Sequence, residues 1–159
     1  MEKSCGILAY RWNKGKLQVL LGKNGGPYNN DYSWNIPKGH VEGDEGEIPC
    51  AIREFEEETG LKVPENPELS SLGSSKTYSG KKTVFIFALR HDYNPNGDDV
   101  EIHSNTFTME YPRNSGKFIE AVELESAKYI EIHEALEMIF PYQKVFLQNL
   151  HKDLTGTCM

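Results

Sequence analysis

Between Gly39 and Leu61 the chain reads GHVEGDEGEIPCAIREFEEETGL, a stretch that constrains the fold more than any other. It holds Gly39, Glu45, Arg53, Glu54, Glu57, Glu58 and Gly60 at set offsets, with apolar Phe55 and Leu61 among them. On a helix turning about 100° per residue, Glu54, Glu57 and Glu58 stand at i, i+3 and i+4 and share one face. Ile48, Ile52 and Phe55, at i, i+4 and i+7, fall on another face. The spacing therefore predicts a helix anchored in a core on one side and bearing three carboxylates on the other. Like charges so close repel unless something positive sits among them. Carboxylate oxygens are hard donors that select a hard cation. Mg²⁺ is expected, with Mn²⁺ as the alternative, since such ions take one or two protein carboxylates together with substrate phosphates. Glu56 is expected to point to solvent, and Gly60 to end the helix at positive φ.

An acidic helix face by itself is usually a solvated surface. Here Glu45 lies upstream, Arg53 stands beside the carboxylates and Gly39 opens the preceding loop. Together these residues match, at every specified position, the signature GX5EX7REUXEEXGU of the Nudix hydrolases, with U apolar. At residue frequencies of roughly 5–7% per fixed position, a chance match anywhere in the chain is rarer than about one in a million. The chain thus resembles that family. The resemblance implies an α/β/α sandwich built on a mixed sheet, and metal-dependent hydrolysis of phosphoric anhydride bonds in nucleotides. It implies that Arg53 pairs with Glu45 to fix the loop against the helix, a task suited to a bidentate guanidinium. It makes the Gly39 carbonyl a metal ligand, Glu57 and Glu58 direct ligands, and Glu54 either a ligand or the proton acceptor for the attacking water.

A further carboxylate from outside the helix is expected to complete the site or serve as base. Glu120, Glu123 and Glu125 are the candidates. The resemblance favours Glu123, which stands six residues before Tyr129, the aromatic taken to open the next strand. Residues 33–42, SWNIPKGHVE, resemble the entry to the signature in diadenosine tetraphosphate hydrolases. Tyr78, seventeen residues beyond Leu61, matches a tyrosine of those enzymes, and Lys81-Lys82-Thr83-Val84 resembles the start of their next strand. An aromatic ring can stack on a purine while ammonium groups meet the phosphates, so Tyr78, Lys82, Lys38 and His40 become substrate-binding candidates. The chain departs from those enzymes in a longer stretch between Tyr93 and Tyr129. There Thr106–Gly116 is similar to a bacterial branch of predicted pyrophosphohydrolases. Asp44 also replaces a glycine frequent before the first glutamate. Dinucleoside polyphosphates are the leading substrate class and nucleoside triphosphates the second. A binding-only module is disfavoured because every signature carboxylate is present.

A length of 159 residues fits one domain over residues 1–159. The net charge of −7 argues against long nucleic acid as partner but not against small polyphosphates, because bound divalent ions reverse the local field. Cys5, Cys50 and Cys158 read as reduced thiols, the start of the chain lacks a signal-peptide core, and the longest apolar run, Val84–Leu89, is too short for a membrane span. A cytoplasmic protein is expected. Strands are predicted over Lys3–Trp12, Leu17–Leu21, Leu69–Tyr78, Lys82–His91, Thr106–Tyr111 and Lys128–Ile132. Gly25–Ser33 and Asn94–Asp99 are predicted as loops, and the end of the chain as two helices separated or kinked at Pro141.

Overall fold

Lys14 and Gly15 both adopt positive φ, 52° and 79°, reversing the chain in two residues and pairing β1 (Glu2–Asn13) with β2 (Lys16–Asn24). A tight turn of this hand matches the right-handed twist of the strands it joins. The structure is a computed structural model that describes residues 2–27 and 34–159. Most of the predicted Gly25–Ser33 loop, and Ser33 of the motif at residues 33–42, lie outside the described residues.

Beyond the hairpin, β1 and β2 take different partners. The first residues of β1 pair antiparallel with β4 (Lys38–His40), Cys5 facing Gly39, while its other edge runs parallel to β6 (Lys82–Arg90). Near its end, β2 pairs with β3 (Trp34–Asn35), and along its length with β10 (Leu124–Glu131). The mixed sheet runs β5 (Leu69–Lys76), β6, β1, β2, β10, β7 (Asp99–Val100). Where β1 and β2 part, the sheet leaves room for a cavity.

Side chains alternate across this sheet with the two-residue period of a strand. Ile7, Ala9, Leu20, Phe87 and Leu89 pack under helix α1 (Glu47–Thr59), whereas Leu8, Val19, Leu21, Val84 and Ile86 pack with Phe146, Leu147 and Leu150 on the opposite face. That second face is covered by α2 (Ile132–Met138) and α3 (Lys144–Thr155). The result is the expected α/β/α sandwich. Pro141 opens a 3₁₀ turn, Pro141–Gln143, that separates the two helices, and Phe140 belongs to neither. No helix among the described residues is long and apolar enough to cross a membrane.

Several boundaries differ from the sequence expectation. The strand expected at Lys128–Ile132 begins at Leu124, and Ile132 instead opens α2, whose N-terminus is capped by Glu131. Strand β8 (Thr106–Glu110) was expected, but its partner β9 (Phe118–Val122) was not; the two form a separate sheet. Strand β5 stops at Lys76, leaving Tyr78 in the turn that follows. In α1 the core anchors are Cys50, Ala51 and Phe55, with Ile52 partly buried, while Ile48 is 42% exposed. Glu56 does more than face solvent, since its Oε2 accepts the Val63 N–H at 2.9 Å and clips the chain leaving the helix. Gly60 ends α1 at φ 73°.

Buried Arg11 fastens the loop ahead of β7. It donates to Asp92, the Asn94 carbonyl and Asp98, and lies over the Tyr129 ring. Tyr129 is buried and its hydroxyl donates to the His91 carbonyl at 2.7 Å, which ties β10 to the chain leaving β6.

Candidate active site

One side chain holds the signature loop against its helix. Arg53 forks onto Glu45, Nε donating to Oε2 at 2.8 Å and Nη2 to Oε1 at 2.9 Å. Nη2 also donates to the His40 carbonyl at 2.9 Å, which draws β4 into the same knot. Nη1 reaches Glu54 at 2.9 Å and Glu57 at 3.1 Å. Planar, five-donor guanidinium is the group that can serve so many acceptors at once. The bonds to Glu45 raise the Arg53 pKa, and the same contact holds the Glu45 carboxyl down to about 2.

Gly39 faces this helix at very close range. A Cβ there would run into the Glu54 carboxylate, so a side chain at this position would displace that carboxylate from its place beside β4. The Gly39 carbonyl accepts a long contact from the Cys50 thiol at 3.6 Å. Gly6, opposite in β1, has no more room, since a Cβ would strike the Pro37 carbonyl and Lys38. Two glycines thus let three backbone layers close over the carboxylates.

Glu58 lies on the buried stripe of α1 with Ala51 and Phe55, at i+7 and i+3 from them, and is only 7% exposed. Its Oε2 is buried without a hydrogen-bond partner. Burial pushes its carboxyl up to about 8, with Glu54 and Glu123 adding to the rise and Lys38 opposing it. Burial likewise raises Glu54, against the pull of Arg53.

These groups open onto one cavity of about 560 Å³, lined by Glu42, Glu54, Glu57, Glu58 and Glu123 together with Lys38, Gly39, His40 and Lys82. Lys82 Nζ lies 3.2 Å from His40 Nε2. Glu123 stands in the joint between β9 and β10, its N–H bonded to the Asn105 carbonyl and its C=O to the Gly25 N–H, both at 3.0 Å. Of the other outside carboxylates, Glu120 is exposed on β9, and Glu125 sits at a register shift in β10 and pairs with Lys23 at 3.4 Å. Neither lines the cavity. Tyr78 does not line it either: it is 74% exposed and meets Tyr142 edge-on, ring centroids 5.9 Å apart. The sequence pattern did not mark Glu42, nor Ser4, Asn24, Gly25, Asn35, Asn105 and Phe107, which complete the lining.

Among the described residues, no three His, Cys, Asp or Glu side chains converge on a common ligating point, and Glu54 and Glu57 each turn one oxygen to Arg53. The donor chemistry nonetheless fits a hard divalent cation. An unsatisfied carboxyl oxygen buried in Glu58, amid further carboxylates and the Gly39 backbone, is stabilised either by a proton or by a bound cation, and its neighbours are oxygen donors that suit the cation.

The NUDIX domain profile matches residues 4–150. The chain belongs to the NUDIX domain family. Among Nudix relatives, an mRNA-decapping protein of African swine fever virus is 30% identical over 110 residues, covering 66% of this chain and 43% of that protein. The chain therefore spans less than half the length of that viral relative. An asymmetrical bis(5'-nucleosyl)-tetraphosphatase of Rattus norvegicus is 26% identical over 131 residues, covering 79% of this chain and 75% of the rat protein. The crystal structure of a C. elegans Ap4A hydrolase binary complex superposes with a TM-score of 0.65 at 25% identity, covering 99% of this chain and 100% of that one.

Proposed function

We propose that this Nudix domain hydrolyses phosphoric anhydride bonds in nucleotide polyphosphates with the help of a divalent cation, and that dinucleoside polyphosphates such as diadenosine tetraphosphate are its substrates. One observation carries the reading: five carboxylates share a single cavity with Lys38, His40 and Lys82, a pairing of cation-binding and phosphate-binding groups. The tetraphosphatase and Ap4A hydrolase relatives support the substrate class.

Glu57, Glu58 and the Gly39 carbonyl would hold the cation, Mg²⁺ or Mn²⁺, and Glu54 would complete the set. When bound, such a cation neutralises phosphate oxygens and lowers the pKa of an attacking water. Glu123 takes the proton of that water. Its carboxylate comes from a different element than the helix ligands, so it can face the phosphorus from another side of the cavity. Lys38, His40 and Lys82 orient the polyphosphate, Lys82 and His40 acting as a contact pair. Arg53 does not touch substrate; it positions Glu54, Glu57 and the loop. Tyr78, exposed just ahead of Lys82, stacks on a base that extends beyond the cavity. The domain acts on small nucleotides in the cytoplasm, consistent with three free cysteines, Cys5, Cys50 and Cys158.

The second reading is cleavage of nucleoside triphosphates to the monophosphate and pyrophosphate. It draws on the β8–β9 hairpin, which walls part of the cavity through Asn105 and Phe107 and so favours a shorter ligand. Product analysis by ion-exchange chromatography over a nucleotide panel with Mg²⁺ decides between them. Asymmetric cleavage of diadenosine tetraphosphate to AMP and ATP is expected. Efficient triphosphate hydrolysis with hardly any dinucleotide turnover replaces the first reading with the second.

A further inference from the structure

The cavity has an end that the phosphate chemistry leaves unused. Besides its charged groups, the lining holds one aromatic residue and three asparagines, Phe107, Asn24, Asn35 and Asn105, gathered around Glu123 through the strand ends that bond to it. Asn35 is 5% exposed, and its Nδ2 donates to Asn24 Oδ1, so two amides are locked together in the cavity wall. Phe107 is half-buried on β8. An aromatic face beside fixed amide donors and acceptors is the arrangement that recognises a flat heterocycle, the ring stacking on its π-face and the amides reading its polar edge.

This end is rigidly built. The Asn105 N–H donates to the Glu57 carbonyl at 3.0 Å, and the Asn105 carbonyl accepts the Glu123 N–H at 3.0 Å. The His103 N–H donates to the Thr59 carbonyl at 2.8 Å, and Ser104 Oγ accepts the Leu124 N–H at 3.0 Å. The foot of the hairpin is thereby strapped to the last turn of α1 and to the strand that carries Glu123. On its other side, Gly25 gives β9 room to close in, since a Cβ there would meet the Val122 carbonyl. Phe107 is thus placed two residues from Asn105, whose backbone bonds to that of Glu57 and to that of Glu123.

We infer that the β8–β9 hairpin furnishes a nucleobase subsite, in which Phe107 stacks on the base and the amides of Asn24 and Asn105 meet its edge, Asn35 holding Asn24 from within the wall. This rests on the reading of the cavity as a polyphosphate site, and it assigns the second aromatic plate, apart from Tyr78, to a segment the signature does not contain. A base held here leaves its 5'-phosphates running past Glu123 and Glu58 towards Lys82.

Calorimetric titration tests the subsite without turnover, using a non-hydrolysable ATP analogue and inorganic tripolyphosphate as parallel probes, each with Mg²⁺. Loss of one stacking partner is expected to weaken the analogue by roughly five- to a hundredfold in Phe107→Ala and to leave tripolyphosphate unchanged. Unchanged tripolyphosphate binding also shows that the cavity still folds. Phe107→Leu, which keeps apolar bulk for the hairpin, should weaken the analogue too, while Phe107→Tyr should restore it. The subsite is overturned if wild-type protein binds the analogue no more tightly than tripolyphosphate, or if Phe107→Ala affects both probes alike or neither. Phe107-dependent binding by a protein that hydrolyses no nucleotide would uphold the subsite and remove the proposed hydrolysis instead.

Discussion

Helix α1 and the β8–β9 hairpin meet at the same cavity, but they deliver their side chains differently. Helix α1 presents Glu54, Glu57 and Glu58 within five residues through the helical repeat alone, and Arg53 adjoins them in sequence. The hairpin region brings Asn105, Phe107 and Glu123 together only because β8 and β9 pair, Thr106 facing Val122, and return the chain to its start. The first arrangement is written in local spacing. The second depends on pairing across the turn between β8 and β9.

The comparison predicts that damage to α1 is the more severe. Replacing both Glu57 and Glu58 by Gln removes two anionic ligands at constant shape and should lower turnover by roughly 10²–10³-fold or more. Steady-state rates on diadenosine tetraphosphate, with circular dichroism as a check on folding, would reveal it. Near-normal rates in the double variant would remove these residues from the chemistry.

Glu123 tests the non-local half. As a general base it should lower kcat by about 10²-fold when changed to Gln, with a smaller change in KM. Glu125→Gln, by contrast, breaks only an exposed pair with Lys23 and should stay within about twofold of wild type. A larger effect at Glu125 would show that β10 runs in a different register from the one that places Glu123 in the cavity.

The two halves were unequally legible in the sequence. The helix, its stop at Gly60 and the face shared by Glu54, Glu57 and Glu58 follow from offsets of a few residues, the Arg53–Glu45 fork is implied by the family resemblance, and the structure has that geometry. Ile48 misled because its spacing suits two stripes equally; the core took Ala51 and Phe55, and with them Glu58, which periodicity alone counted as an exposed carboxylate. Strand β9 was missed because its sequence, FIEAV, lies exposed and lacks a clean alternation. Asn24 and Asn35 gave no signal at all, since isolated asparagines beside a loop look like ordinary turn residues.

Arg53 sharpens the comparison at intermediate strength. Lysine keeps the charge but not the fork, so Arg53→Lys should lose the bidentate hold on Glu45 and lower kcat/KM by roughly 10–100-fold, as losses of groups that orient metal ligands do. Activity equal to wild type would mean that charge, and not geometry, fixes the loop.

The smallest expected effect is on stability. Burial raises the Glu58 carboxyl from 4.5 to about 8, so the folded chain binds a proton that the unfolded chain releases between those values. In chelator, stability should therefore fall as pH climbs from about 4.5 to 8. Glu58→Gln imitates the protonated form and should melt higher than wild type at pH 8, by roughly 2–4 °C for each kcal/mol relieved, with the gap closing towards pH 5. Scanning calorimetry across that range measures it. Equal melting of variant and wild type at pH 8 would place Glu58 in a solvated setting, and a less stable variant would mean that the Lys38 charge outweighs burial.

Turnover of diadenosine tetraphosphate under exhaustive chelation, followed by stepwise return of Mg²⁺, tests the central claim most directly. Carboxylates gathered to hold a cation predict that the rate falls to background in chelator and recovers in a saturable way with added Mg²⁺, and that the Glu57→Gln, Glu58→Gln double variant recovers little at any concentration. A wild-type rate that persists undiminished in chelator would contradict the account.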